Sequence, residues 1–263
     1  MPESPSRMVE RVVLILSVFE RTAGALTLGQ ICTRSGLPRS SVHRILQHLV
    51  NARWLQRDDN QYTLGLRMFE IGSQVAHRRI SDAAKPFVQD LSAKTGHVVH
   101  LALLDGQDVV YLEKVGGALA SELPSRVGGR LPAHCTAVGK VLLAYSPPAI
   151  VERYLDCGLR GLTSASIKTP EALGAALMKI RNAGYAIESD ESVPGVACVA
   201  APIFEYGDVV AALSVCGHRK LVRADELKHR VMWTAAEISR RLSLTSRPGS
   251  TANAPLLAVG RAV

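Results

Sequence analysis

From residue 21 to residue 57 the chain has no aspartate, no glutamate and no lysine, while Arg21, Arg34, Arg39, Arg44, Arg53 and Arg57 all fall within it. Nothing inside the segment neutralises those arginines, so it presents a surface suited to phosphate. No run approaches the ~20 apolar residues that a membrane-crossing helix needs. The start of the chain also lacks the basic stretch, apolar stretch and cleavage site of a signal peptide. A soluble, cytoplasmic protein with no membrane partner is expected. The cysteines Cys32, Cys135, Cys157, Cys198 and Cys216 form neither a CxxC pair nor an even framework, so reduced thiols serving as small apolar residues are expected. His43 and His48 lack ligand-type neighbours at metal spacing, and neither a zinc site nor a cofactor is expected.

With 263 residues, 47% of them hydrophobic, the chain exceeds the usual size of a single core, and two domains are expected. The net charge of +8 suits nucleic acid, but also a membrane surface or an acidic protein. The pattern around the arginines breaks that tie. Met8 to Arg21 reads as a first helix with Val9, Val12, Val13, Leu16 and Phe19 on one side. Thr27 can cap a second helix through Leu28, Ile31 and Cys32, and Ser35-Gly36-Leu37-Pro38 supplies the break. In the helix at 39–51, Val42, Ile45, Leu46 and Leu49 share one face, while Ser40, His43, Arg44 and Gln47 share the other. Residues 54–57 and 61–64, around Asp58-Asp59-Asn60, read as a β-hairpin, so the module is a winged helix-turn-helix. Arg44 and Gln47 have the donors that pair with guanine and adenine edges. Arg39, Ser40 and Ser41 at the helix start meet phosphate, His43 lies on the groove-facing side, and Arg53 and Arg57 reach flanking backbone.

Leu66 to Arg79 reads as an amphipathic linker helix with Met68, Phe69, Ile71 and Val75 available to pack, and a further helix opens at Ser81-Asp82 and runs to Lys94. From His97 the pattern turns to strands. Hairpins are expected around Asp105-Gly106-Gln107 and around Tyr206-Gly207-Asp208. Helices are expected over 136–145, 148–157, 170–183 and 224–244, the last aligning Leu227, Val231, Ile238 and Leu242. These elements predict an α/β sandwich with an antiparallel sheet, followed by a disordered tail over 246–263. Thr136-Ala137-Val138-Gly139 precedes an apolar helix whose free amides favour a ligand carboxylate. The alternative is a loop that only turns the chain tightly, with Gly128 and Gly129 at positive φ.

Four blocks carry a family resemblance: Ser40-Ser41-Val42-His43-Arg44-Ile45-Leu46, Tyr62-Thr63-Leu64-Gly65, the run from Gly129-Arg130-Leu131-Pro132 through Ala133-His134-Cys135-Thr136 to Ala137-Val138-Gly139-Lys140, and Gly184-Tyr185-Ala186 leading to Glu191, Gly195 and Cys198-Val199-Ala200-Ala201-Pro202. From about Met8 to Leu244 the chain resembles the IclR family of bacterial transcriptional regulators. The resemblance implies an α+β protein, with a winged helix-turn-helix over 6–66, a linker helix over 67–80 and a GAF-like effector-binding domain over 81–245. It implies a homodimer or homotetramer on double-stranded operator DNA, a small organic acid as effector, repression as the usual outcome, and RNA polymerase as a further partner. By the same resemblance Ala137 and Val138 offer backbone amides to the effector, Glu188, Cys198, Ser214 and Cys216 face it from the other side, and Leu123 and Leu131 wall the pocket. Such members tend to carry aspartate where this chain has Glu188 and serine where it has Cys216. The thiol is the weaker donor, which favours a bulkier or less polar effector. For Cys198, Ser214 and Cys216 the alternative is plain core packing.

Two other readings remain open from the sequence. His134-Cys135 suggests a Cys/His hydrolase, but adjacent residues on extended backbone point apart and no G-x-S-x-G elbow occurs. A thiol-based redox sensor requires Cys198 and Cys216 to meet, which happens only if their strands pair in register.

Overall fold

The computed structural model describes residues 8–20, 22, 24–74, 77–117 and 119–245. Arg21, Val75 and the tail expected over 246–263 lie outside the described residues. The chain divides into two compact units, Met1–Arg78 and Arg79–Val263.

The first unit comprises α1 (Met8–Glu20), β1 (Leu26–Thr27), α2 (Leu28–Ser35), α3 (Arg39–Asn51), β2 (Leu55–Asp58), β3 (Gln61–Leu64) and α4 (Leu66–Gly72). Its core is built from Ile15, Val18 and Phe19 of α1, Ile31 of α2, Val42, Ile45, Leu46 and Leu49 of α3, and Leu26, Leu55 and Tyr62 of the small sheet. Burying one such aliphatic side chain is worth about 1.5–3 kcal/mol, so α3 is held chiefly by its four apolar anchors. Thr27 caps α2 through a reciprocal box. Its hydroxyl accepts from the Gln30 N–H at 3.3 Å, while its own N–H donates to Gln30 Oε1 at 2.8 Å. Gly36, at φ 69°, ends that helix with its N–H on the Cys32 carbonyl. The strands β2 and β3 pair antiparallel as the wing, and the unanticipated β1 adds to β3 through Leu26 opposite Tyr62.

The α1 expectation is corrected in part. Val9 and Val13 are 73% and 55% exposed, while the expected Val12, Leu16 and Phe19 pack into the core together with Ile15 and Val18. Apolar residues cover most of that helix's circumference, with Glu10, Arg11, Ser17 and Glu20 on the rest, so spacing alone does not exclude Val9 and Val13 from the packed face. The single linker helix expected over 67–80 is also corrected: α4 stops at Gly72, and α5 (Arg78–Thr95) already contains Ile80. Gly72 is a poor helix former, and α4 buries none of its residues, so no packing carries the helix further.

The second unit continues with β4 (Val98–Asp105), β5 (Asp108–Val115), β6 (Arg130–Pro132), a 3₁₀ turn (Ala133–Cys135), α6 (Ala137–Tyr145), α7 (Pro148–Asp156), α8 (Pro170–Ala183), β7 (Ala186–Ser189), β8 (Val196–Glu205), β9 (Asp208–His218) and α9 (Ala224–Thr245). Among the described residues the strands form one antiparallel sheet in the order β6-β5-β4-β9-β8-β7. Both faces are covered, and period-two alternation sorts the side chains between them. Val99, Leu101, Leu103, Val199, Leu213 and Val215 pack with α5 and with Leu227, Val231, Ile238 and Leu242 of α9. Val98, Ala102, Cys198, Ala200, Ala212 and Cys216 pack on the opposite face with α6 and α8.

Candidate DNA interface and ligand site

The polar face of α3 is open to solvent. Arg39, Ser40, His43, Arg44 and Gln47 are exposed, while Ser41 is half-buried beside the core residue Val42. An open cleft of about 890 Å³ runs between the starts of α2 and α3 and the wing, lined by Arg39, Ser40, His43, Arg57, Asn60 and Tyr62 among others. The structure thus brings Arg39, Ser40, His43 and Arg57 to one concavity, and sets Arg44 and Gln47 on successive turns of α3 beyond it. Arg57 is held in place. Its Nε donates to the Asp59 carbonyl at 2.7 Å, and its guanidinium lies 5.8 Å from the ring centre of Tyr62, its cross-strand neighbour. Arg53 lies just past α3 at φ 62°, a left-handed conformation that usually falls to glycine at a helix end. Its N–H donates to the Val50 carbonyl at 2.9 Å, and the Trp54 N–H to that of Leu49 at 2.9 Å. The base of the wing closes against it, since a Cβ on Gly65 would sit 2.2 Å from the Arg53 carbonyl oxygen.

In the second unit, Leu123, Ala137, Val138, Cys198 and Cys216 share one buried cluster, and Leu131 packs against it. Two rows cross the sheet on that face. One aligns Glu188, Cys198, Cys216 and Val98, and the next aligns Ala200, Ser214, His100 and Lys114. Thr136 caps α6 by accepting from the Gly139 N–H at 3.0 Å, and helix geometry leaves the Ala137 and Val138 N–H groups without an intrahelical acceptor. Gly139 is required here, because a Cβ would sit 2.2 Å from the Ala133 carbonyl oxygen. Of the two glycines expected at positive φ, only Gly128 has it, at 73°. Gly129 is instead crowded, a Cβ there falling 2.9 Å from the Arg126 backbone oxygen.

Glu188 is 1% exposed. Its carboxylate accepts from the N–H groups of Glu191 at 2.6 Å and Ser192 at 3.1 Å, so it organises its own turn. Burial pushes its pKa up to about 7 against the pull of those amides and of Lys140. Lys140, on α6, pairs with Glu191 and donates to the Ile187 carbonyl at 3.3 Å, pinning α6 to that turn.

Sequence reasoning missed His100, Tyr111, Ser125 and Lys114. His100 Nε2 lies 2.9 Å from the Ser125 hydroxyl and its ring packs 4.8 Å from that of Tyr111. Burial, helped by the charge of Lys114, pushes the His100 pKa down to about 3, so the ring is neutral. Lys114 donates to the Leu123 carbonyl at 3.1 Å and to that of Ser125, holding the loop over the site. The available signal was His100 itself, the one polar side chain in Val98-Val99-His100-Leu101-Ala102, placed by period two beside Val98 and Ala102.

The expectation of five reduced cysteines is corrected. Cys198 and Cys216 stand directly opposite in register, with Cα atoms 4.2 Å apart, and are joined by a disulfide. Their spacing in sequence gives no sign of this, because antiparallel register rather than a motif brings them together. His134 and Cys135 face different partners: His134 Nδ1 lies 2.7 Å from the Tyr154 hydroxyl, and the Cys135 thiol donates to the Arg160 carbonyl at 3.8 Å. Burial pushes the Cys135 thiol pKa up, which opposes formation of a nucleophilic thiolate.

Comparison with known proteins places both units. A family model described as the IclR helix-turn-helix domain matches residues 8–59, and one described as the bacterial transcriptional regulator IclR C-terminal matches residues 72–243. The HTH-type transcriptional regulator XynR of Escherichia coli (strain K12) is 38% identical over 216 residues, 79% of this chain and 84% of that protein. The Pca regulon regulatory protein of Pseudomonas putida is 30% identical, covering 88% of this chain and 81% of its own. The crystal structure of an IclR homolog from Microbacterium hydrocarbonoxydans complexed with 4-hydroxybenzoate is 28% identical with a TM-score of 0.84, covering 91% of this chain and 100% of that one.

Proposed function

The chain belongs to the IclR family of bacterial transcriptional regulators, and we propose that it represses a catabolic operon, releasing or re-engaging its operator when a small organic acid binds the second unit. The observation that carries this reading is α3. Its four apolar residues are locked in the core, while Ser40, His43, Arg44 and Gln47 stand exposed on the other side, the geometry a major-groove reader needs.

Arg44 and Gln47 read base edges. Arg39, Ser40, Ser41, Arg53 and Arg57 fix register on phosphate, and His43 lines the groove between them. The effector's carboxylate meets the Ala137 and Val138 amides at the start of α6, with Leu123 and Leu131 walling its apolar body and Glu188, Cys198, Ser214 and Cys216 opposite. A ring or short chain suits that apolar wall, and the relative solved with 4-hydroxybenzoate supports an aromatic acid as the class. Neutral His100 and Ser125 add donors without adding charge. The chain works in the cytoplasm as a homodimer or homotetramer, and effector binding shifts the spacing of paired recognition helices against half-sites about one helical turn apart. RNA polymerase is the partner through which the outcome is expressed.

Footprinting on the DNA upstream of its own and neighbouring genes tests the reading. Protection of a two-fold symmetric site is expected; uniform, sequence-independent protection removed by moderate salt would overturn it.

A further inference from the structure

We infer that Cys198 and Cys216 form a redox-responsive dithiol site on the ligand-facing side of the sheet, closed and opened by exchange with low-molecular-weight disulfides. The inference rests on the proposed cytoplasmic regulator, because in that compartment a protein disulfide is usually transient or sensing rather than structural.

Three observations carry it. The two residues are register partners on β8 and β9, with Cα atoms 4.2 Å apart, so antiparallel pairing alone brings their side chains together. The bond also has little structural work to perform. β8 and β9 are consecutive strands of one hairpin, paired from Val196–His218 to Glu205–Asp208, and each is held by a further strand on its other side. The hairpin therefore persists without the bond. Finally, the pair is in a place where its state matters: Cys216 Sγ lies 3.7 Å from the Ser214 hydroxyl, and Glu188 stands opposite Cys198. Closing the bond removes two S–H donors from the row of polar groups facing α6. The remaining cysteines, Cys32, Cys135 and Cys157, are free thiols.

The chemistry balances with a small disulfide as oxidant. The thiolate of one cysteine attacks a sulfur of the small disulfide, forming a mixed disulfide and expelling one small thiolate. The second cysteine then gives its proton to solvent and attacks the protein-side sulfur, forming the Cys198–Cys216 bond and expelling the second small thiolate. Two cysteine thiols are oxidised by two electrons, and one external disulfide is reduced to two thiols. Both residues are buried, at 7% and 4% exposed, so exchange requires the same opening that admits an effector to the proposed site.

The test uses the full-length protein in buffers with graded ratios of reduced to oxidised glutathione, acid-quenched, denatured, alkylated and analysed by peptide mass spectrometry. The expected result is that Cys198 and Cys216 lose their alkyl label together over a limited range of ratios, recover it together with dithiothreitol, and do so equally in a Cys157→Ser control. In Cys198→Ser, Cys216 is expected to carry one glutathione or none, and never an intramolecular bond. Labelling of both residues at every ratio overturns the inference, as does a bond that persists at every ratio, which would make it structural. The titration needs neither DNA nor effector. A missing footprint therefore counts against the regulator reading alone, and an unresponsive pair against this site alone.

Discussion

Arg53 serves two physical demands that pull apart. Its left-handed φ of 62° costs a non-glycine residue of order 1 kcal/mol, and its charge is the part proposed to meet DNA. Arg53→Gly is therefore expected to fold at least as well as the parent in thermal unfolding, yet to bind all DNA sequences more weakly and to flatten the salt dependence. Arg44→Ala should instead leave non-specific binding nearly intact and abolish sequence preference, a loss of about 1–3 kcal/mol of discrimination. Anisotropy titrations on operator and random duplexes separate the two, and identical behaviour would sink the division of roles. Glu188 gives a pH prediction. Its pKa rises from 4.5 to about 7 on folding, so the folded state binds the extra proton, and its contribution is whole below pH 4.5 and is lost as pH rises through 7. Glu188→Gln, whose amide oxygen can still accept from the Glu191 and Ser192 amides, should remove that decline and be the more stable form above pH 7, by at most about 3 kcal/mol. Denaturant midpoints at pH 5 and pH 8 read this directly. A wild type whose midpoint falls no further than the variant's between those pH values would contradict it.

At the scale of elements, legibility followed contrast. In α3 the apolar and polar residues fall on opposite faces, so its buried face and its core contacts could be read from spacing. In α1, apolar residues cover most of the helix, and spacing assigns the exposed Val9 and Val13 to the buried face. The short strands β1, β6 and β7, of two, three and four residues, are too brief to show a period, and the linker pattern runs through Gly72, where α4 ends. In the proposed ligand site, the helix start at Ala137 is legible in the sequence pattern and the strand cysteines come from the family resemblance. The Cys198–Cys216 bond and the His100–Ser125 contact could not, since both depend on cross-strand register and loop return. The tight start of α6 offers a check at this scale. Gly139→Ala drives a methyl against the Ala133 carbonyl, which cannot yield without moving the 3₁₀ turn, so a loss of about 1–3 kcal/mol is expected in chemical unfolding. Full stability in that variant would mean the turn is freely adjustable.

For the whole molecule, the proposed assembly has a visible cost in exposed apolar surface. Leu66 and Phe69 on α4 are 63% and 67% exposed, and Val9 on α1 is 73% exposed. In the proposed assembly these open apolar side chains meet another chain. Phe69→Glu is expected to shift sedimentation toward monomer and to weaken operator binding in parallel; a wild type that is already monomeric at micromolar concentration would remove the assembly from the account. Apart from this, among the described residues no helix is long and apolar enough to cross a membrane. In the proposed regulator, one unit reads DNA and the other governs it through a small acid. A mobility shift measures it most directly, using the purified chain on DNA upstream of its own and adjacent genes, with competitor at moderate salt and a panel of aliphatic and aromatic acids beginning with 4-hydroxybenzoate. The expected result is a specific shift that one acid alters and the others do not. The absence of a specific shift on every fragment, or a shift that no acid changes, would contradict it.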